Sequence, residues 1–353
     1  MRSMGWKIFA GAMMLATGGA EAGPIAANPN PISFDAGFGK INVSGQVSGL
    51  AFYQSNATNL LPGDDETALD LDNALITVSK TDGLFQFYVQ AGMYSFPTVG
   101  VPYDKASDQT SSFLGAVPVA YAKLQLTDSF SVSAGKLPTL VGAELAFTPQ
   151  NFNIERGLLW WQEPVSSRGV QANYASGPLS IALSWNDGYY SNVLNSGSGL
   201  VSYAIDDKNT LAFDASFTPD YSSVSGNQIY DLMYTYNAAP WTIGPYVQYQ
   251  SINNGGGADW GVGVLAAYQV TPEISLNGRV EYEDSSGNFG SPLLYGPKSS
   301  AWSFTVTPTW QKGIVFARGE LSYAGLSDNT FGFGKSFNQD NQFRALFETG
   351  VQF

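Results

Sequence analysis

Residues 262–282 read VGVLAAYQVTPEISLNGRVEY, and this stretch decides the fold. On both sides of Thr271-Pro272-Glu273, apolar side chains occupy most alternate positions, with polar or small residues between many of them. A period of two residues is typical of a β-strand with one apolar face, and the short polar break predicts a tight turn. The stretch therefore predicts a β-hairpin.

The same pattern recurs from Lys40 to Phe353. Segments of about ten residues, the length of a tilted strand that crosses a bilayer, come in pairs joined by turns such as Thr81-Asp82-Gly83 and Thr127-Asp128-Ser129. Sixteen segments are present, with seven short turns alternating with eight longer connections. An even strand number with short turns at one rim predicts an all-β, sixteen-stranded antiparallel transmembrane β-barrel with short periplasmic turns and long extracellular loops.

Soluble β-sandwiches and propellers also alternate in polarity, and they are the competing interpretation. Aromatic residues decide between them, because they recur at strand ends, where the two interfacial girdles of a membrane barrel would lie. These residues are Tyr53, Tyr174, Tyr236, Trp241, Tyr268, Tyr282, Trp302, Trp310 and Tyr323.

Composition and charge exclude several functions. The chain has no histidine and no cysteine, so Ser-His and Cys-His nucleophile pairs and thiolate metal sites cannot be built. We therefore expect no enzyme, no metal and no cofactor. A net charge of −13 disfavours a nucleic-acid partner, which needs a basic surface, and mildly favours cations as solutes.

The N-terminus has the pattern of an export signal. Arg2 and Lys7 precede the apolar run 8–16, and Ala20-Glu21-Ala22 is a small-x-small cleavage site. We predict a signal peptide at 1–22 and a single barrel domain at 23–353. Residues 23–39 show no periodicity and are interpreted as a periplasmic lead-in.

The third long connection carries a resemblance to a known family. Its motifs are GKLPTLVGAE at 135–144, FTPQN at 147–151, NIERGLLW at 153–160, QEP at 162–164 and SRGV at 167–170. This block resembles the OmpL-like β-barrel porins of proteobacterial outer membranes, with Trp161 at a position expected to be polar. The resemblance implies a porin of the Gram-negative outer membrane, reached by Sec-type export, in which the terminal Phe353 resembles the signal read by the barrel-insertion machinery.

The same connection mixes large apolar residues with charges, which predicts that it folds inward and narrows the pore. A cap over the barrel or a trimer contact is the alternative. Opposite charges across a narrow gap would orient dipolar solutes and select ions. The predicted constriction comprises Glu144, Glu155 and Arg156 on the loop and Lys123, Arg279, Arg318 and Arg344, which fall on the polar faces of the strands.

The expected function is passive diffusion of small hydrophilic solutes and ions through a water-filled, loop-constricted channel. Two alternatives remain open: a solute-selective channel with an aromatic track at Tyr88, Tyr121 and Tyr246, and a plugged structural or adhesive barrel acting through its extracellular loops. The expected partners are outer-membrane lipid and lipopolysaccharide, the permeating solutes and the insertion machinery. A homotrimer is the assembly usual for porins of this strand number.

Overall fold

A computed structural model describes residues 24–28, 30–61, 63–218, 227–252, 257–285, 295, 298–327 and 331–353. The predicted signal peptide lies outside these residues, so its prediction stands as made. No described helix is long and apolar enough to span a bilayer.

The alternating segments form seventeen β-strands in the described part of the chain. They are β1 (Ile32–Asp35), β2 (Lys40–Gln54), β3 (Thr67–Lys80), β4 (Phe85–Tyr94), β5 (Val119–Gln125), β6 (Phe130–Pro138), β7 (Ser166–Ser176), β8 (Leu179–Asn186), β9 (Ser196–Ala204), β10 (Asn209–Phe217), β11 (Asn227–Ala238), β12 (Trp241–Ile252), β13 (Gly257–Thr271), β14 (Ile274–Ser285), β15 (Ser300–Lys312), β16 (Val315–Ser327) and β17 (Asn341–Gln352).

Strands β2 to β17 close into a barrel. Each pairs antiparallel with the next along the chain, and β17 pairs back with β2, from Arg344 opposite Gln54 to Gln352 opposite Gln46. The predicted sixteen-stranded antiparallel barrel is therefore confirmed. Closure leaves no long open edge, so nearly every strand amide finds a partner, as a lipid environment demands.

The segment before the barrel contains the short strand β1. This strand pairs with the start of β2, with Ile32 opposite Val43 and Asp35 opposite Lys40. On the same edge of β2, the C-terminal residue Phe353 pairs with Gly45, with backbone N–O distances of 2.9 and 2.8 Å. β1 covers the part of this edge that precedes Gly45. Four residues are too few to show an alternation in the sequence, and the periplasmic position of this segment stays a prediction.

The two faces of the wall follow the period of two. On β13 and β14 the apolar Val264 and Val280 point outward and are 42% and 53% exposed, whereas Arg279 and Glu281 point inward and are buried. Aromatic pairs lie near both ends of neighbouring strands. Ring centroids are 4.5 Å apart for Trp241–Tyr268, 5.5 Å for Trp260–Tyr282 and 5.1 Å for Trp302–Tyr323.

The connections at the long-loop rim carry the short helical elements. Loop 1 spans 55–66, loop 2 spans 95–118, loop 3 spans 139–165 and loop 4 spans 187–195. Loop 2 contains α1 (Ala106–Gln109), which continues as a π-helical turn (Thr110–Leu114), and loop 3 contains 3-10 turns at Thr148–Gln150 and Leu159–Gln162.

Candidate functional site in the barrel lumen

Loop 3 lies inside the barrel, and its apolar residues pack on the inner wall in three places. Leu140, Phe152 and Leu159 pack on small and apolar lumen-facing residues of β8–β13. Ile154 packs against Leu50 and its neighbours, and Phe147 packs in a third cluster beside β3–β5. Burial of these side chains removes apolar surface from water and favours the inward course of the loop.

Wall carboxylates bind the backbone of loop 3. Glu320 on β16 accepts hydrogen bonds from the amides of Ile154 and Glu155, the second at 2.9 Å. Glu281 on β14 accepts from the amide of Leu158 at 2.9 Å and from the Tyr246 hydroxyl at 2.9 Å. The backbone amides of a buried loop need hydrogen-bond acceptors, and these two carboxylates are such acceptors.

Arg279 connects the wall to the loop by both charge and hydrogen bonds. Its Nη1 donates to Glu144 Oε1 at 2.7 Å and to the carbonyl of Glu155 at 2.6 Å. Glu144 also accepts from the amide of Gly157 at 2.7 Å. Burial raises the pKa of Glu144 above its usual range, although the neighbouring arginine acts in the opposite direction.

The other two wall arginines are equally buried. Arg344 donates to Glu155 Oε1 at 2.6 Å and to the carbonyl of Thr98 in loop 2 at 2.8 Å. Arg318 pairs with Glu348 on the adjacent β17, its Nε lying 3.0 Å from Oε2, and donates to the carbonyl of Asn151 at 3.2 Å. These three arginines therefore join loop 3 to the wall formed by β14–β17.

The two remaining basic residues of the predicted set are placed differently. Arg156 donates within loop 3 to the carbonyl of Ile154 at 3.0 Å and across to that of Ser95 in loop 2 at 3.1 Å. Its guanidinium carbon lies 5.5 Å from the ring centroids of both Phe96 and Trp160. Lys123 lies apart from this network, on the lumen face of β5.

Of the predicted set, the structure thus brings Glu144 to Arg279 and Glu155 to Arg344. They are in direct contact, and their side chains are at most 4% exposed. The narrow gap predicted between these opposite charges is closed by direct contact in the structure, and their part in narrowing the pore stays a prediction. Three wall carboxylates complete the network: Glu281, Glu320 and Glu348. They were not in the predicted site, although the sequence places them on the polar faces of their strands.

A second group of acids lies on the opposite wall, and the predicted site omitted it. Asp214 on β10 and Asp231 on β11 are directly opposite each other in the register and point into the lumen. Glu163 of loop 3 lies beside these two acids, and its Oε1 accepts a hydrogen bond from Gln248 Nε2 at 3.0 Å. Asp214 Oδ2 accepts a hydrogen bond from the amide of Gly142, also in loop 3, at 3.2 Å.

These acids lack basic partners. None of the ion pairs in the described residues includes Glu163, Asp214 or Asp231. Glu163 Oε2 is buried without a hydrogen-bond donor, and Asp231 has Asp214 and Gln248 as its hydrogen-bonding neighbours. Burial, together with the charges of Asp231 and Asp214, raises the pKa of Glu163 well above its usual range. No three carboxylates in the described ranges converge closely enough to hold a metal ion.

Three cavities lie beside loop 3 and share lining residues. The outer cavity, of about 540 Å³, opens between loops 1, 2 and 3 and reaches Ser166. A small cavity of about 10 Å³, here called the neck, lies between the base of loop 3 and β7–β9 and shares Ser166 with the outer cavity. An inner cavity of about 70 Å³ shares Pro138 and Gln171 with the neck and lies along β4–β7, where Tyr88 and Tyr121 stack with centroids 5.7 Å apart.

The residues that precede β1 also reach loop 3. Ile25 is buried, its amide donates to the carbonyl of Pro149 at 3.0 Å, and the amide of Ala26 donates to Gln311 Oε1 at 2.8 Å near the β15–β16 turn. This segment therefore covers part of the lumen at the short-turn end.

A closed antiparallel barrel of sixteen strands, with an apolar outer face and its longest described loop in the lumen, defines the class of outer-membrane porins. The chain belongs to the family described as putative beta-barrel porin-2, OmpL-like, whose sequence model matches residues 40–353. It is accordingly a porin of the Gram-negative outer membrane. In that membrane it contacts lipid and small solutes. The family resemblance inferred from loop 3 is confirmed.

Solved structures with a similar fold are outer-membrane proteins. The outer membrane channel DcaP of Acinetobacter baumannii superposes with a TM-score of 0.60 at 10% identity, over 91% of this chain and 99% of that one. OmpT of Vibrio cholerae gives 0.58 at 10%, over 92% and 100%. A mutant of the Rh. blastica porin gives 0.54 at 14%, over 89% and 100%. No curated protein sequence matches the chain.

Proposed function

We propose that solutes and ions diffuse passively along one side of loop 3, from the outer cavity through the neck to the inner cavity. This proposal rests on the lining residues that neighbouring cavities share: Ser166 at one junction, and Pro138 and Gln171 at the other. The charged network on β14–β17 then anchors the constricting loop, and the passage lies against β6–β9. The driving force is the solute gradient, and no cofactor or covalent step takes part.

The neck determines which solutes pass. Its wall is polar, with the side chains of Ser167, Gln171, Ser184, Asn186 and Ser198. A volume of about 10 Å³ is close to the minimum that holds one water molecule. In this conformation the neck holds no more than about one water molecule. Ions and hydrophilic solutes cross when the base of loop 3 moves away from β7–β9.

A preference for cations follows from the charges at the entrance. The described residues that line the outer cavity include two acids, Asp104 and Glu163, and no lysine or arginine. Asp214 and Asp231 add negative charge behind Glu163. The inner cavity has the opposite character, since Lys80 and Lys123 line it, so the preference is weak and is determined at the outer mouth.

Porin families and folds are typically not enzymatic, and a chain without histidine lacks the usual general base. We include three further points in the proposal. The chain forms a homotrimer, its loops contact lipopolysaccharide, and Phe353 at the barrel seam is recognised by the insertion machinery. A trimeric form of Vibrio cholerae OmpT among the similar folds supports the first point.

The passage can be tested by cysteine accessibility, because the chain has no cysteine of its own. Ser184→Cys places a thiol in the neck, and Ser303→Cys places the matched thiol beneath loop 3 on the opposite wall, where Ser303 donates to Glu281 at 2.8 Å. We expect a methanethiosulfonate reagent to reduce the single-channel conductance of Ser184→Cys in planar bilayers and to leave Ser303→Cys unchanged.

The other outcomes separate the alternatives. Block at Ser303→Cys alone would place the passage on the arginine side and contradict the proposal. Folded barrels that carry no current would favour the plugged barrel that acts through its loops. Saturable block by a solute would favour a selective channel, for which the stacked Tyr88 and Tyr121 in the inner cavity are the motivating observation.

A further inference from the structure

A pair of basic residues lies on the outward face of the barrel, at the ends of β6 and β7 that adjoin loop 3. Lys136 on β6 is directly opposite Arg168 on β7. Each lies two positions from an exposed outward residue, Lys136 from Ala134 and Arg168 from Val170. In the described strands, no other lysine or arginine lies on the outward face at the long-loop rim. Two like charges directly opposite each other on one face are unfavourable unless an anion offsets them.

The pair lies at the level expected for lipid head groups. Trp185 on β8 is 52% exposed and directly opposite Val170, and Arg168 is the next outward position toward the long-loop rim. Exposed tryptophans of a membrane barrel lie at the interface between hydrocarbon and head groups. A long cationic side chain one position beyond such a residue can reach the head-group phosphates while its aliphatic part covers apolar surface.

Tyr190 of loop 4 holds both cations in place. The Lys136 ammonium lies 4.9 Å and the Arg168 guanidinium 3.8 Å from the centroid of its ring. Lys136 also donates to the carbonyls of Leu114 and Val117 in loop 2, the second at 2.7 Å. The two charges are therefore fixed in position before any ligand arrives, which lowers the entropic cost of binding one.

The internal contacts of the pair leave positive charge and donors available. Arg168 Nε pairs with Asp187 Oδ2 at 2.7 Å, and Nη2 donates to the carbonyl of Tyr190 at 3.2 Å. Arg168 Nη1 has no acceptor among the described residues, and the side chain is 35% exposed. Lys136 is in no described ion pair, and its ammonium has a third N–H beyond the two that bind loop 2. Two cations in direct contact with one carboxylate leave one net positive charge.

We propose that Lys136 and Arg168 bind a phosphate group of lipid A, the phosphorylated lipid anchor of lipopolysaccharide. The long-loop rim of an outer-membrane barrel faces the cell exterior, where lipopolysaccharide forms the leaflet. Phosphate oxygens accept from the third N–H of Lys136 and from Nη1 of Arg168, as charge-assisted hydrogen bonds. Val170 and Trp185, nearer the middle of the membrane, contact the acyl chains. The inference rests on the proposed contact with lipopolysaccharide and names the strand-end residues that make it.

Three lipids test the chemistry of the site, with binding to the refolded barrel in detergent measured by native mass spectrometry. They are diphosphoryl lipid A, the same lipid A with both phosphates removed, and phosphatidylglycerol. EDTA is present throughout, because divalent cations would bridge phosphates to a chain whose net charge is −13. We expect saturable binding of diphosphoryl lipid A and at least about tenfold weaker binding of the other two, since a phosphate monoester carries more charge than a diester.

Either of two results with the wild-type protein would overturn the proposal, so the test does not depend on a variant that folds. Equal affinity for dephosphorylated lipid A would show that the phosphate is not recognised. Equal affinity for phosphatidylglycerol would show that any anionic lipid suffices and that the pair is not a site for lipopolysaccharide.

Three variants locate the site. Lys136→Gln removes the charge and keeps a donor for the loop 2 carbonyls, and we expect the affinity for diphosphoryl lipid A to fall about tenfold. Lys136→Arg keeps the charge and should bind nearly as wild type does. Lys312→Gln is the matched control, because it removes an exposed charge at the short-turn rim, and its affinity should not change. Wild-type affinity in Lys136→Gln would refute the site.

Single-channel conductance and oligomeric state of the same preparations, in bilayers and detergent without lipopolysaccharide, keep this proposal separate from the passage. A conducting barrel that does not bind lipid A would overturn the lipid site and leave the passage intact. A barrel that binds lipid A but carries no current would support the lipid site and contradict the passage. Loss of trimers in Lys136→Gln with unchanged lipid A binding would make the pair a contact between copies of the chain and overturn the proposal.

Discussion

Nη1 of Arg279 on the barrel wall lies 2.7 Å from Oε1 of Glu144 on loop 3, and both side chains are buried. The two residues are 135 positions apart in sequence. The contact holds the first half of the loop against β14, while Arg344 and Glu155 hold the second half against β17. Ion pairs therefore attach the loop on the β14–β17 side of the lumen, and the neck lies on the β7–β9 side.

Breaking this contact should cost much more than breaking an exposed one. Arg279→Met leaves Glu144 buried without its partner, and we expect the free energy of unfolding to fall by about 3 to 5 kcal/mol. The double variant with Glu144→Gln should recover part of that loss. The exposed pair of Lys312 and Glu273, 3.2 Å apart, is the control and should contribute no more than about 1 kcal/mol. Urea unfolding in a double-mutant cycle measures both, and equal losses would mean that the buried pair does not anchor the loop.

A new charge should affect stability on the outward face of a strand and conductance on the lumen face. Val264→Arg introduces a charge on the outward face of β13, and we expect a loss of about 2 to 4 kcal/mol in the free energy of unfolding. Gln125→Arg on β5, whose amide nitrogen donates to the carbonyl of Thr127 at 2.7 Å, should fold normally and alter conductance. Unfolding curves and single-channel recordings decide the matter. Normal stability of both variants would refute the assignment of faces.

The strands could be predicted because each residue's face depends only on its position in a period of two. The contacts of loop 3 could not be predicted, because an irregular segment has no repeating pattern that indicates which wall residue each side chain contacts. Arg279 and Arg344 were correctly placed on the lumen side, but their closed pairing with Glu144 and Glu155 is a property of the packed loop. Asp214 had a readable signal, since it lies between the outward Phe213 and Ala215, yet only the strand register reveals its neighbour Asp231.

Gly142 is required where loop 3 turns beneath Glu163. Its φ of +91° lies in the left-handed region, and an added Cβ would overlap the Glu163 carboxylate. Gly313 has a φ of +59° in a short turn with open space around it, so it is the matched control. We expect Gly313→Ala to cost about 1 kcal/mol from backbone strain and Gly142→Ala to cost about 1 to 3 kcal/mol more from overpacking. Thermal unfolding measures both, and similar costs would show that Glu163 moves aside freely.

The raised pKa of Glu163 predicts a specific dependence of stability on pH. The titratable groups that face it are Glu144, Tyr189, Asp214, Asp231 and Tyr246. The folded-state pKa lies above the unfolded value, so protonation favours the folded barrel. The stabilisation is complete below the unfolded pKa, near 4.5, and is lost as the pH rises through the folded-state pKa.

Glu163→Gln imitates the protonated acid at every pH. We therefore expect its melting temperature to exceed that of wild type by a margin that is small at pH 5 and grows as the pH rises through the folded-state pKa. Glu273→Gln, on an exposed turn, should show no such growth. Melting curves of the three proteins from pH 5 to pH 9 measure the margin. A margin that stays constant over this range would mean that Glu163 titrates normally, with a compensating cation already at its side.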